Sequence, residues 1–225
     1  IVLDDRFASI IGGIALGRRI FANLRKAMTY ITAIHIPVAG LALLPILFGL
    51  PPLFYPMHLV LLELLFDPLC SFVFEAEPGE ANAMKRPPRS PSERLFGGRE
   101  IRLALLQGAV LLVAVLAYYW FLNGIRAGEQ IARASAFVAL VIGHLSLAVA
   151  ESGPSTGFLT RRRVALWSIV GTAALALLLA ITFPPLLHIL RFESPGTDLL
   201  LTSIAIGLVA GGWSGVMFRL RPRLM

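Results

Sequence analysis

One cysteine, two lysines and a thin sprinkling of charge set the first limits. Cys70 stands alone in 225 residues, so no disulfide can form within the chain and sulfur says nothing about its compartment. Only 15% of the residues are charged, against about 25% in an ordinary soluble domain. The glycine-rich stretch GGIALG, residues 12 to 17, has no P-loop lysine and sits in an amphipathic segment, so it is no phosphate cradle. The first residues, IVLDDRF, show neither an initiating methionine nor a basic-then-apolar leader, and read as a piece that starts within a longer protein. The net charge of +7 suggests nucleic acid at first sight, but the arginines flank apolar runs instead of forming one basic face, which excludes that partner.

What fills the chain instead is hydrocarbon. Apolar residues make up 57% of it, and the mean hydropathy is +0.79. About 20 helical residues cross a bilayer core of roughly 30 Å. Six stretches meet that length, at 27–50, 55–75, 101–122, 131–150, 164–183 and 198–218. The expected fold is therefore an all-α, multi-pass membrane protein with six transmembrane helices in a lipid bilayer. Residues 1–26 read as an amphipathic connector that extends the first helix into the cytoplasm. Residues 27–75 form a helix hairpin turned by GLPPLFYP, residues 76–100 a polar, proline-rich loop, and 101–225 a four-helix support domain. With the N-terminus inside, seventeen lysines and arginines fall on the cytoplasmic side and three (Arg126, Arg133, Arg191) outside, which places both termini in the cytoplasm. Nearly all of these arginines read as topological anchors.

Four ionisable residues break the apolar runs. His35 precedes Pro37 in the first span, Glu63 and Asp67 precede Pro68 in the second, and His144 lies in the fourth. At a rise of about 1.5 Å per residue, His35, Asp67 and His144 come to one level, roughly 18–22 Å below the outer surface, and Glu63 to roughly 12 Å. Glu63 and Asp67 are i and i+4 and share a helix face. Two carboxylates that close resist ionisation in a low dielectric unless a cation lies between them. Pro68 and Pro37 lack an N–H, so the carbonyls of Leu64 and Ala33 lose their helical donors and the helices are expected to unwind there. Membrane prolines often only kink, and His144 alone would suit a packing hydrogen bond. An acid near the midplane, costing about 2.5–3.5 kcal/mol to insert, points to function by default. Cys70, Ser71 and Gln107 read as helix-packing residues, and His58 and His188 as residues of the outer interface.

Two longer stretches resemble a known family. VLDDRFASIIGGIALGRRIFANLRKAMTYI is similar to the passage joining the phosphorylation domain of a P-type cation-transporting ATPase to its fifth membrane helix. YPMHLVLLELLFDPLCSFVFEAEP and MKRPPRSPSERLF resemble its sixth helix and following loop, in the branch that holds calcium, sodium-potassium and proton pumps. The resemblance makes the whole chain transmembrane helices five to ten of an ATP-driven pump in a plasma membrane, such as a bacterial inner membrane. It implies that Glu63, Phe66 and Asp67 occupy the places of an Asn, a Thr and an Asp that bind ions in calcium pumps. His35 and Val38 stand for an Asn and a Glu of the fifth helix, and His144 for a Glu of the eighth. Phe66 and Val38 offer no side-chain ligand, so the implied cation is calcium, manganese, another divalent metal or a proton. The family's phosphorylation motif DKTGT and its GDGxND element do not occur in the chain. Magnesium and ATP would then belong to a headpiece that, with the N-terminal membrane helices, is this chain's expected partner. A free-standing six-helix cation or proton-coupled metal carrier, working without ATP, is the alternative.

Overall fold

The computed structural model describes residues 7–75, 77, 79, 82–88, 95–152 and 164–220. Residues 1–6, the RSPSER segment at 89–94, the arginines at 161–163 and those at 221 and 223 lie outside the described residues. Every regular element among the described residues is helical.

Helix α1 runs unbroken from Phe7 to Leu47, through the expected join at residue 26 and through Pro37 and Pro45. Between Ile20 and His35 the sequence holds neither glycine nor proline, so nothing interrupts the hydrogen-bond ladder there. Its end is a Schellman motif: Gly49 takes φ +70°, and Leu50 and Gly49 donate to the carbonyls of Pro45 and Ile46 at 2.8 and 3.1 Å. Pro51 and Pro52 follow and forbid continuation.

The second membrane helix is composite. It opens with α2 (Pro56–Leu61), widens into one π-helical turn (Leu62–Phe66) and ends as α3 (Asp67–Glu75). Then come α4 (Gly98–Gly124), α5 (Glu129–Glu151), α6 (Val164–Thr182), α7 (Pro184–Ile189) and α8 (Thr197–Leu220). Five helices, Ser9–Leu47, Pro56–Glu75, Gly98–Gly124, Glu129–Glu151 and Thr197–Met217, are long and apolar enough to cross a membrane. They fall on five of the six expected spans. The sixth, at 164–183, corresponds to α6, a shorter apolar helix. Helix α7 was not expected: Phe183 is extended, and Pro184 and Pro185 restart the helix in its first turn, where a missing N–H costs nothing.

Helix α5 is the axis. From Ala132 to Ala148 nearly all of its side chains are buried, by α1, α3, α4, α6 and α8. Its closest neighbour is α8, because glycines let the two backbones touch. A Cβ on Gly207 would come within 2.6 Å of the Ala139 carbonyl, and one on Gly211 would run into the Gly143 carbonyl. Similarly Gly108 of α4 admits the Ala33 carbonyl of α1. The outward faces carry Leu43, Val113, Leu175, Leu201 and Val209, all more than half exposed, as a lipid-facing surface requires.

Candidate functional site

The four predicted ionisable residues meet where α1, the π-turn with α3, and α5 adjoin. His35 Nδ1 is 2.8 Å from the Ile31 carbonyl. A carbonyl can only accept, so this nitrogen carries a proton, and in the neutral ring the lone pair is on Nε2. That Nε2 lies 3.7 Å from Glu63 Oε2. Ligand atoms of His35, Glu63 and Asp67 all lie within 4.8 Å of one another. Behind Asp67, His144 Nδ1 stands 3.6 Å from Oδ1.

Burial is graded across the group. The side chains of His35 and Glu63 are 51% and 46% exposed, those of Asp67 and His144 only 10% and 1%. The site is open on one side and closed by α5 on the other. Both Asp67 oxygens and both His144 nitrogens are buried without a hydrogen bond. Buried polar atoms without partners are costly, and a constellation of them beside two further donors is what a cation-binding site needs.

The π-turn is a feature the sequence does not announce. Asp67 donates its N–H to the carbonyl of Leu62, five residues back. Pro68 follows directly and has no N–H to return to Leu64, or to Glu63 in the wider register. The helix therefore stays wound beside Pro68, one residue looser, where unwinding was expected. At Pro37 likewise α1 continues without a break. The positions of the implied hydroxyl and carboxylate ligands are closed: Phe66 is fully buried and Val38 is 7% exposed. Phe66 packs edge-on against Phe137 of α5, with centroids 6.2 Å apart.

Other polar residues turn out to hold the frame. Gln107, expected to join helices, donates from Nε2 to Glu151 at 2.5 Å. His58, expected near the outer interface, is wholly buried within the protein. It accepts the Tyr55 N–H at Nδ1 and donates from Nε2 to the Leu190 carbonyl, each at 2.8 Å. Arg133 is not merely an anchor: its side chain is 2% exposed and 3.7 Å from Glu129. It donates to the carbonyls of Arg191 at 3.0 Å and Pro52 at 3.4 Å, and its guanidinium lies 4.8 Å from the Tyr55 ring centre.

At the opposite end, α1 grips the chain that leaves α3. Arg19 and Asn23 both donate to the Glu77 carbonyl at 2.9 Å. Arg18 donates to the carbonyls of Ala83 and Arg86 at 2.5 and 2.8 Å. Arg25 reaches the Leu95 carbonyl at 3.2 Å and Glu100 at 3.8 Å. These contacts depend on tertiary approach, which charge counting cannot reveal.

Comparison with known proteins places these features in context. Residues 51–219 match the family model described as cation transporting ATPase, C-terminus. A calcium-transporting ATPase of Listeria monocytogenes is 29% identical over 164 residues, covering 70% of this chain and 18% of that protein. One of Bacillus subtilis is 28% identical over 195 residues, covering 83% and 21%. A sodium/potassium-transporting ATPase alpha subunit of Hydra vulgaris is 34% identical over 123 residues, covering 54% and 12%. The chain thus spans about a fifth or less of the length of these relatives.

Proposed function

The chain belongs to the cation-transporting ATPases, as their C-terminal membrane region, and from that premise we propose that it forms part of the intramembrane cation site of an ATP-driven P-type pump. The observation that carries this reading is the convergence of His35, Glu63 and Asp67 ligand atoms within 4.8 Å, with His144 3.6 Å behind Asp67. In the intact pump α6 serves as a sixth span, and both termini are cytoplasmic, as the distribution of basic residues favours. Residues 1–26 act as the connector to the headpiece, 27–75 as the site hairpin, 76–100 as a cytoplasmic loop and 101–225 as the support domain. Magnesium and ATP act in the headpiece. The open side of the site faces the pump's N-terminal membrane helices, which complete the ligand set. The Listeria and Bacillus relatives favour a bacterial plasma membrane.

Transport follows from two arrangements of the same donors. Phosphorylation of the headpiece tilts α1, which carries His35 toward or away from Glu63 and Asp67 and changes both affinity and access. Coupling requires the cation to bind the two arrangements with different free energies. Pro68 removes a backbone donor next to the site, which leaves a neighbouring carbonyl available to a dehydrated ion, whereas the Ala33 carbonyl freed by Pro37 packs against Gly108 of α4.

The test uses the full-length protein in sealed vesicles. Asp67→Asn is expected to abolish cation-stimulated ATP hydrolysis and uptake. Unchanged cation-dependent turnover in that variant would remove Asp67 from the site. The named relatives are all ATPases, which favours this reading over a carrier that works without ATP; uptake that persists without ATP would reverse the preference.

A further inference from the structure

We infer that the site takes a first-row divalent transition-metal ion in preference to calcium, with His35 Nε2 as a nitrogen ligand. This rests on the reading of His35, Glu63 and Asp67 as the cation site and narrows the class of ion it accepts.

The His35 ring is already set up to ligate. Its Nδ1–H is committed to the Ile31 carbonyl at 2.8 Å, which fixes the tautomer and leaves Nε2 as a lone-pair donor. Metal-binding histidines regularly donate their other N–H to a carbonyl in this way, and the bond raises the basicity of the ligating nitrogen. The Nε2 faces Glu63 Oε2 at 3.7 Å, inside the group that also holds Asp67.

Size does not choose the ion. Ligand atoms within 4.8 Å of one another can close on a transition ion at about 2.0–2.2 Å, or on calcium at about 2.3–2.6 Å, with small side-chain movements. Donor chemistry does choose. Calcium takes six to eight oxygens and gains little from imidazole. Here one of the three donors is nitrogen, while the buried Phe66 and Val38 contribute no oxygen. Imidazole with carboxylates suits manganese, iron, cobalt or zinc. Two carboxylates balance a divalent charge, which disfavours sodium and potassium.

His144 has a different part. Fully buried and 3.6 Å from Asp67 Oδ1 on the closed side, it is a positioning residue that orients the carboxylate from behind. The nitrogen ligand is therefore assigned to His35 and not to His144.

Manganese(II) is the probe, titrated into the full-length protein in lipid nanodiscs. Affinity comes from the loss of the free-ion electron paramagnetic resonance signal, with calcium as competitor. Imidazole ligation comes from nitrogen modulation of the electron spin echo. Wild type is expected to bind manganese roughly tenfold or more tightly than calcium and to show the modulation. His35→Gln should lose the modulation and roughly tenfold or more in manganese affinity, with calcium affinity changed less than about twofold. His144→Gln should keep the modulation. Because the His35 side chain is half exposed, His35→Gln should fold, and an unchanged melting temperature checks this. Tighter binding of calcium, no manganese binding at all, or modulation that survives His35→Gln and disappears in His144→Gln would each overturn the inference. If either of the first two occurs while Asp67→Asn still abolishes transport, only the ion class has failed; if the third does, the nitrogen ligand is His144 and the assignment to His35 has failed. If Asp67→Asn changes neither binding nor transport, the cation site itself is misplaced.

Discussion

His144 and Asp67 face each other at 3.6 Å, and all four of their nitrogen and oxygen atoms are otherwise buried and unpartnered. His144 meets Asp67 from the closed side, while Asp67 also has ligand atoms of His35 and Glu63 within 4.8 Å. Replacing His144 with Leu removes the group that orients Asp67 and should weaken cation binding about 10- to 100-fold. His144→Gln, which keeps a polar contact, should lose less. Titration of both variants of the full-length protein gives the comparison. Equal affinity in His144→Leu and wild type would reduce His144 to a packing residue.

Arg133 supports the other end of the bundle by donating to the carbonyls of Pro52 and Arg191. Its loss would leave two carbonyls unsatisfied within a packed region. Arg133→Ala should destabilise the protein by about 2–4 kcal/mol. Arg133→Lys, with charge but no planar fork, should fall between the two. Thermal unfolding in detergent ranks the three proteins.

Neighbouring glycines provide an internal control for the α5–α8 contact. A Cβ at Gly211 meets the backbone of Gly143, whereas one at Gly212 meets nothing within 4 Å. Gly211→Ala is expected to cost about 1–3 kcal/mol by forcing the helices apart. Gly212→Ala should be neutral or slightly stabilising. Equal melting temperatures for these two variants would contradict the close backbone crossing.

Arg19 and Asn23 share one acceptor, the Glu77 carbonyl. Removing either leaves the other in place, while removing both leaves only the Arg18 and Arg25 contacts and loosens the segment that follows α3. Tryptic cleavage between residues 76 and 97 should accelerate little in each single Ala variant and much more in the double variant, a non-additivity expected of shared partners. Additive rates would mean that the two side chains act separately.

The features legible in the sequence are those set by local periodicity or by the cost of burying charge. Runs such as LALLQGAVLLVAVLAYYWFLNG declare α4 by length and hydropathy, and Asp67 declares itself because an acid at that depth is expensive. The i, i+4 spacing of Glu63 and Asp67 also puts both acids in the site group, although a π-turn lies between them. The turn itself was hidden, since it is defined by which carbonyl the Asp67 amide selects, and LELLF spells an ordinary helix. The partners of His58 and Arg133 are hidden for a related reason. Each looks like an interface residue in its own segment, and its partners, Leu190 for His58 and Arg191 for Arg133, lie more than fifty residues away. The arginines of α1 were read as a count of charge, whereas their bonds specify a docking geometry.

The unbroken stretch of α1 between Arg19 and His35 makes it a lever with a calculable throw. Arg19 and Asn23 both hold Glu77, so twelve to sixteen residues at about 1.5 Å each put the imidazole about 18–24 Å from that contact. If that contact acts as the fulcrum, a tilt of about 10° carries His35 sideways by about 3–4 Å, several times the slack that a bound metal ion tolerates. A modest rotation of the connector would then be enough to carry His35 out of reach of Glu63 and Asp67, with the donors themselves unchanged.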